Sequence, residues 1–359
     1  MNTNFPEKGI EIDFLPAGNG SRSADAIAIR YGNLSSNDRS QHKIIIIDGG
    51  YKENGRALVE HVKTYYKTDI VDIVIMTHPD LDHCSGLTEV LNNITVRELW
   101  MHQPWNHSDE ILNLFKDGRL TTNSLEKKLQ VALDSAFAVE EVAEGKTKII
   151  EPFADHKSAD GVITVLGPTR EYYQELIPQF RKTPESKTEE ILTEAKGKVF
   201  SVINWIKETL HISTETLGNE GKTSCENNSS VILLFQIGEE KFLFTGDAGI
   251  PALESATQYA ASKGISLLGL RWMQVPHHGS KRNIGSNLLD KLKPQTAFVS
   301  VSKNDGHKHP SKKVINAFIR RGTSVFTTEG LGICHFYNSP GRLGWSSLAP
   351  QVFNDNVEE

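Results

Sequence analysis

Stretches of aliphatic and β-branched residues alternate with glycine-rich turns over the first third of the chain. Residues 10–15 read as a strand, and 26–31 alternate apolar and polar side chains. Residues 43–47 hold four consecutive isoleucines, the pattern of a strand buried on both faces. Gly18, Gly32 and the Asp48-Gly49-Gly50 cluster supply the turns between them. Helical periodicity covers 55–66. A β-branched run predicts an interior strand at 71–76, 86–91 opens a helix, and 96–101 is a further strand. Ser108 is placed to cap a short helix that stops at Gly118. Leu125, Leu129, Ala132, Leu133, Ala136 and Phe137 form the apolar stripe of one helix over 124–138. Strand character returns at 162–166 and breaks at Gly167-Pro168.

The stretch 171–228 is charged and mostly helical in pattern, interrupted by Pro178 and Pro184, with its best helix at 191–210. It does not alternate with strands as its surroundings do. It reads as an insertion on a strand-rich scaffold, either a lid or substrate arm or a structural cap. From 231 the strands resume: 231–237 and 241–245, a helix over 251–263, then strands at 270–275 and 297–301. An amphipathic helix over 311–321 turns Val314, Ile315, Phe318 and Ile319 inward and stops at Gly322. Residues 323–327 and 332–336 read as a closing hairpin, and 354–359 as a frayed tail. Strands in two halves, separated by helices, predict two sheets packed face to face with helices outside.

Composition narrows the class. The 359 residues are 38% hydrophobic and 23% charged, values of a globular chain. We read them as one domain over 1–359, with helical insertions at 105–160 and 171–225. The formal net charge of −6 argues against a surface that is basic throughout, so an anionic substrate needs a local basic patch or bound cations. Three scattered cysteines make neither a disulfide framework nor a thiolate zinc cage, and the reducing cytoplasm is the compartment they suit. The N-terminal residues lack the pattern of a signal peptide, and no apolar run reaches the ~20 residues of a membrane span. Dinucleotide, Walker and nucleophile-elbow motifs are absent from the sequence.

The chemistry concentrates in five places. Thr77-His78-Pro79-Asp80-Leu81-Asp82-His83 sets four metal-ligand side chains directly after an apolar strand, where a tight loop can turn them onto one or two divalent ions. A polar surface turn is the bland alternative. Thr245-Gly246-Asp247-Ala248 alone is more often a turn, but in company its carboxylate can bridge two cations. Val275-Pro276-His277-His278-Gly279-Ser280 carries two adjacent histidines followed by Lys281 and Arg282. From an extended segment only one of the pair can face a metal, with His277 slightly favoured. His309, in Gly306-His307-Lys308-His309-Pro310, is a candidate proton donor or a plain loop histidine. Asn227-Asn228-Ser229 precedes a strand and offers an amide to metal or substrate, or forms an ordinary turn.

In this order these pieces resemble the metallo-β-lactamase superfamily, whose signature is His-x-His-x-Asp-His after a strand, then a histidine, a bridging aspartate and a last histidine. Asp80 stands where the second histidine is usual, and Asn227 or Asn228 where the third-motif histidine is expected. Both departures resemble the nuclease domain of the competence protein ComEC and its stand-alone relatives. Those relatives share a Thr-Gly-Asp-Ala element, a Pro-His-His-Gly-Ser element and a later His-Pro-Ser, here His309-Pro310-Ser311. The likeness covers about residues 10–105, 160–170 and 225–337.

The resemblance implies an α/β fold, the αββα four-layer sandwich with helical insertions, and two divalent metal ions, manganese or zinc, with magnesium admitted. Oxygen donors in place of imidazoles shift the preference toward manganese. One ion would take His78, Asp80 and Asp247, with the Asn228 amide. The other would take Asp82, His83, Asp247 and His277 or His278. The implied reaction is hydrolysis of DNA or RNA phosphodiesters, with Asp82 orienting the nucleophile, His309 and Lys281 assisting the leaving oxygen, and Asn228 and Ser280 meeting substrate. Lys281, Arg282, Lys308, Lys312, Lys313, Arg320 and Arg321 would form a basic strip for nucleic acid. A small-molecule phosphodiesterase or esterase and a non-catalytic regulatory or binding subunit are the rival readings. An operon-encoded protein partner and a homo-oligomer stay open.

Overall fold

The isoleucines at 44–47 show how the layers arise. Ile45 and Ile47 face one apolar cluster and Ile44 and Ile46 another, because successive strand side chains point to opposite faces. The strand therefore has core on both sides.

The computed structural model describes residues 8–18, 20–187, 205–211 and 214–358. Its strands are β1 Gly9–Phe14, β2 Ala26–Gly32, β3 His42–Gly49, β4 Ile70–Ile75, β5 Thr95–Trp100, β6 Lys148–Ile150, β7 Ile163–Gly167, β8 Trp205–Lys207, β9 Ile232–Ile237, β10 Glu240–Phe244, β11 Trp272–Gln274, β12 Thr296–Val299, β13 Ser324–Thr327, β14 Ile333–Tyr337 and β15 Asn356–Glu358. Its α-helices are α1 Lys52–Tyr65, α2 Leu81–Cys84, α3 Leu87–Asn93, α4 Ser108–Ile111, α5 Thr122–Ala132, α6 Asp134–Ala143, α7 Arg170–Leu176, α8 Cys225–Asn228, α9 Ile250–Ser262, α10 Ser286–Leu292 and α11 Lys312–Arg320. Among the described residues no helix is long and apolar enough to cross a membrane.

A seven-stranded sheet runs β14-β1-β2-β3-β4-β5-β6, and a six-stranded sheet runs β13-β12-β11-β10-β9-β7. Ile10, Ile12, Phe14, Ile27 and Ile29 from the first meet Val165, Leu233, Phe235, Phe244 and Trp272 from the second in the layer between them. On the outer face of the first sheet, Leu58 and Val62 of α1, Leu87 and Val90 of α3, Leu125 and Leu129 of α5 and Ala136 and Val139 of α6 close a second layer. On the outer face of the other, Leu253 and Ala256 of α9, Leu288 and Leu289 of α10 and Val314 and Phe318 of α11 close a third. Helix, sheet, sheet, helix is the four-layer αββα sandwich expected.

Several local expectations change. The helix over 124–138 is two helices, α5 and α6, broken at Leu133 (φ −117°, ψ 41°). The break lets both halves bury residues in one layer, and Asp134 accepts the Ser135 amide there at 2.7 Å. Ser108 lies inside α4, which ends at Ile111, and its hydroxyl donates back to the Trp105 carbonyl at 2.8 Å. The closing hairpin is not a hairpin. β13 pairs parallel with β12 in one sheet, whereas β14 pairs antiparallel with β1 in the other. Their periodicity defines two strands but not their partners, and the connection crosses from sheet to sheet. The tail is ordered: β15 pairs with β8, and Val357 is buried. The helix over 191–210 lies mostly outside the described residues, and its described end, Trp205–Lys207, is a strand.

Candidate metal centre

The strands β3, β4, β10, β11 and β12 deliver their C-terminal ends to one edge of the sandwich, because each runs parallel to its neighbour or to its crossover partner. In α/β sheets this edge is where ligands collect. At the end of β3 lies Asp48, after β4 the loop Thr77–His83, after β10 Asp247 and after β11 the pair His277 and His278. Close backbone approach fixes the loop: a Cβ on Gly86 would lie 2.0 Å from the Gly49 carbonyl oxygen, and one on Gly55 2.1 Å from that of Gly86. The Gly86 amide donates to the Gly50 carbonyl at 2.9 Å, which seats α2 and His83 against the end of β3.

Asp247 sits at the middle. Its carboxylate oxygens lie 3.5 Å from His83 Nε2, 3.9 Å from His78 Nε2 and 3.6 Å from His277 Nε2. Among the described residues three groups of ligand atoms meet at His83: it lies with His78 and Asp247, with Asp82 and His278, and with Asp25 and Asp48. His278 Nε2 is 3.9 Å from Asp82 Oδ2. Asp82 is 30% exposed while His78, His83 and Asp247 are buried, so it forms the open side of the cluster.

Each imidazole is held by its other nitrogen. His83 Nδ1 donates to Asp48 Oδ2 at 2.7 Å, and Asp48 also takes the Thr77 amide and hydroxyl. His78 Nδ1 meets the Thr77 hydroxyl at 3.0 Å, and His278 Nδ1 donates to the Ser300 carbonyl at 2.9 Å. His277 Nδ1 donates to Asn283 Oδ1 at 2.9 Å, and the Asn283 amide donates to the Asp247 carbonyl. Such partners fix ring orientation and leave Nε2 as the free lone pair.

The lone pairs have no other use. His78 Nε2, His83 Nε2, His278 Nε2, Asp247 Oδ1 and Asn228 Oδ1 are all buried without a hydrogen-bond partner among the described residues. Buried polar atoms are almost always paired. Three imidazole nitrogens and an Asp247 oxygen left unpaired around one spot therefore fit divalent cations. Electrostatics agree. Burial pushes the Asp247 carboxyl up, but the surrounding His277, His83 and His278 hold it well below the ordinary carboxylate value. Burial, with His83 alongside, drops His78 to about 3, leaving it a neutral donor. Burial lowers His278, but the surrounding carboxylates of Asp247, Asp82 and Asp25 raise it to about 9, so its Nε2 holds a proton that a bound cation would displace.

The two adjacent histidines correct the expectation that only one can face the site. Their segment is not extended: φ is 49° at His277, 53° at His278 and 81° at Gly279. A left-handed turn is costly for non-glycine residues and is kept where function holds it. Here it aims both rings at the cluster, His278 buried and His277 28% exposed.

The remaining sequence candidates fall as follows. Asp80 reaches the cluster with one oxygen, 3.8 Å from His78 Nε2, while the other is ion-paired with Arg181. Asn228 brings its unpaired oxygen beside Gly249, where a Cβ would lie 2.4 Å away. Ser280 is buried and its hydroxyl accepts the Arg282 amide at 3.4 Å. His309 places its ring centroid 5.7 Å from that of His277 and 6.4 Å from that of His278, tilted to both. Burial and those two imidazoles lower it to about 4, so it is neutral at pH 7. Lys281 is exposed on the loop that carries the two histidines. The basic strip is broken up. Arg320 is spent on Glu208, Arg321 on Glu215 and Asp290, Lys313 is buried, and Lys312 lies over the Trp205 ring. Lys281, Arg282 and Lys308 stay exposed on the loops beside the site.

Sequence reasoning missed Asp25, Asp48, Asn283, Gln274 and Arg181. Asp48 had a signal: it ends the buried strand parallel to the one feeding the histidine loop. Asp25 accepts from the Gln274 amide at 2.7 Å and stands behind His83 and His278, on their Nδ1 sides. Asp48→Asn would weaken the hold on His83, and we expect about 10–100-fold lower affinity for a divalent ion, measured by manganese titration.

Four layers, with the site at the edge where the parallel strands end, decide the architecture. The protein has the metallo-β-lactamase fold. No protein-family model matches the chain. Over 134 residues, 37% of this chain, it is 29% identical to the ComE operon protein 3 of Bacillus subtilis. Over 110 residues, 31% of the chain, it is 27% identical to Recombination protein 2 of Haemophilus influenzae. The matched stretches span only 16% and 13% of those proteins' lengths. Among solved structures, the metallo-β-lactamase fold protein YhfI from Bacillus subtilis aligns with 92% of this chain and 100% of its own, at 9% identity and a TM-score of 0.43.

Proposed function

We propose that this protein is a metal-dependent phosphodiesterase whose substrate is DNA or RNA. The observation that carries the reading is the ring of buried, unpaired atoms formed by Nε2 of His78, His83 and His278 and Oδ1 of Asp247. His78 and Asp247, with an Asp80 oxygen, would hold one cation. Asp82, His83 and His278, with Asp247 and His277 alongside, would hold the other. Paired cations supply a water acidified toward neutrality and a polarised phosphoryl group.

The chain's own groups do the rest. Asp82, on the open side, is placed to accept a hydrogen bond from an incoming water and orient it. Neutral His309 can donate its remaining N–H to a leaving oxygen. Lys281, Arg282 and Lys308 can meet phosphates on either side of the scissile bond. The likeness to Recombination protein 2, whose name ties it to DNA, favours a nucleic acid over a small diester.

The test is a panel of manganese, zinc and magnesium against labelled single- and double-stranded DNA and RNA, with cyclic nucleotides and bis(p-nitrophenyl) phosphate in parallel. We expect strand cleavage with manganese, abolished by a chelator and weakened by added salt. Hydrolysis confined to the small diesters would replace the nucleic-acid reading with a small-molecule one.

A further inference from the structure

Asp80 is ion-paired with Arg181, a residue of the segment between β7 and β9. Arg181 follows a 3-10 turn at Ile177–Gln179, in the stretch 171–225 that reads as an insertion. Three contacts hold its backbone in place. Phe180 is buried in the outer helical layer, the Thr183 hydroxyl donates to the Phe180 carbonyl at 2.6 Å, and the Arg181 amide donates to Glu226 Oε1 at 2.6 Å. Its side chain then bridges two acids: Nε donates to the same Glu226 oxygen at 2.9 Å, and Nη2 donates to Asp80 Oδ1. Glu226 is itself buried, on the short helix α8 that also carries Asn228.

We infer that Arg181 is a positioning residue for a cation at His78 and Asp80, an inference that rests on the metal-centre reading above. An imidazole ligand is fixed by its second nitrogen, as His78 and His83 are. A carboxylate offers two equivalent oxygens on a freely rotating bond. The planar guanidinium, anchored on Glu226, occupies Asp80 Oδ1 and leaves Oδ2 facing His78 Nε2 at 3.8 Å. The salt bridge does for Asp80 what the Asp48 carboxylate does for His83. The stretch containing Arg181 thereby contributes directly to the site.

The experiment is a manganese titration of the full chain, stripped with chelator, following free Mn(II) by its electron paramagnetic resonance signal. The variants are Arg181→Ala, Arg181→Lys and Glu226→Gln. For Arg181→Ala we expect one ion to bind about 10–100-fold more weakly while any second ion keeps its affinity. Arg181→Lys should recover part of the loss, since an ammonium can meet Asp80 but cannot bridge both acids. Glu226→Gln, which keeps the arginine and weakens its anchor, should fall between. Arg181 is 58% exposed, so near-ultraviolet circular dichroism of the stripped variant should match wild type. Unchanged manganese affinity in Arg181→Ala overturns the inference, and tighter binding overturns it in favour of Arg181 as a competitor of the metal. A wild-type chain that takes up no manganese, zinc or magnesium instead sinks the metal-centre reading itself.

Discussion

Asp247→Ala is expected to lower kcat on a cleavable strand by about a thousandfold or more and to lose bound metal, while the stripped protein keeps its fold. Asp247 is the only described carboxylate within 4 Å of three imidazoles, those of His78, His83 and His277. Its backbone is held independently, the amide by Ser230 Oγ at 3.2 Å and the carbonyl by Asn283 at 2.7 Å, so the loop should keep its course. Without the carboxylate, three buried imidazoles surround a cation site with no central charge to balance it. Loss of a single preorganised donor at an active site commonly costs about a hundred- to a thousandfold, and a group serving two cations should cost at least the upper figure. Steady-state rates, metal content and a thermal melt in chelator check the three parts. A metal-replete Asp247→Ala chain that turns over at the wild-type rate would end the argument for this centre.

Arg342→Ala is expected to cost about 3–5 kcal/mol of stability, with no direct effect on the metal centre. Strand β1 sends Ile10, Ile12 and Phe14 into the inter-sheet core, so Glu11 and Asp13 must point to its other face, where both are buried. Arg342 meets both acids, Asp13 at 2.6 and 2.7 Å and Glu11 at 2.6 Å, with its guanidinium within 5.7 Å of the Tyr65, Tyr66, Phe336 and Trp345 rings. Arg30 remains for Glu11, and His61 and Tyr66 for Asp13, so the deletion leaves buried charge under-compensated. Burial pushes Asp13 up, but His61 and Arg342 outweigh it and hold the carboxyl well below its ordinary value. A lowered folded pKa stabilises the native state above the unfolded value. That contribution is lost as pH falls below about 4. The penalty of Arg342→Ala should accordingly be full at pH 7 and shrink on the acid side. Urea midpoints at pH 7 and about pH 2 test this, and an equal midpoint shift at both would remove Asp13 from the account.

Much of the fold was legible because its causes are local. The isoleucines at 44–47, the β-branched run before Thr77 and the stripe of α11 each identify their element from side chains a few positions apart. The loops bearing His78, Asp82, His83, Asp247, His277 and His278 were legible for the same reason: ligand-type residues crowd the ends of apolar strands. What the pattern could not assign was partnership. Nothing in 323–336 states that its two strands enter opposite sheets, and nothing in 320–321 states that both arginines are consumed by Glu208, Glu215 and Asp290.

The sequence by itself determined most of the strands of the two large sheets, that two packed sheets would face each other, and which metal-ligand types of side chain crowd the strand ends. Only the tertiary structure decided that His277 and His278 both face the centre, through a left-handed turn invisible to periodicity. It alone placed Asp25 and Asp48 behind the imidazoles and brought Arg181 to Asp80 across a hundred and one positions. The physical reason is common to all three. Hydrophobic period and turn chemistry act over a few residues, whereas an ion pair or a hydrogen bond across the sandwich depends on the whole backbone having folded first.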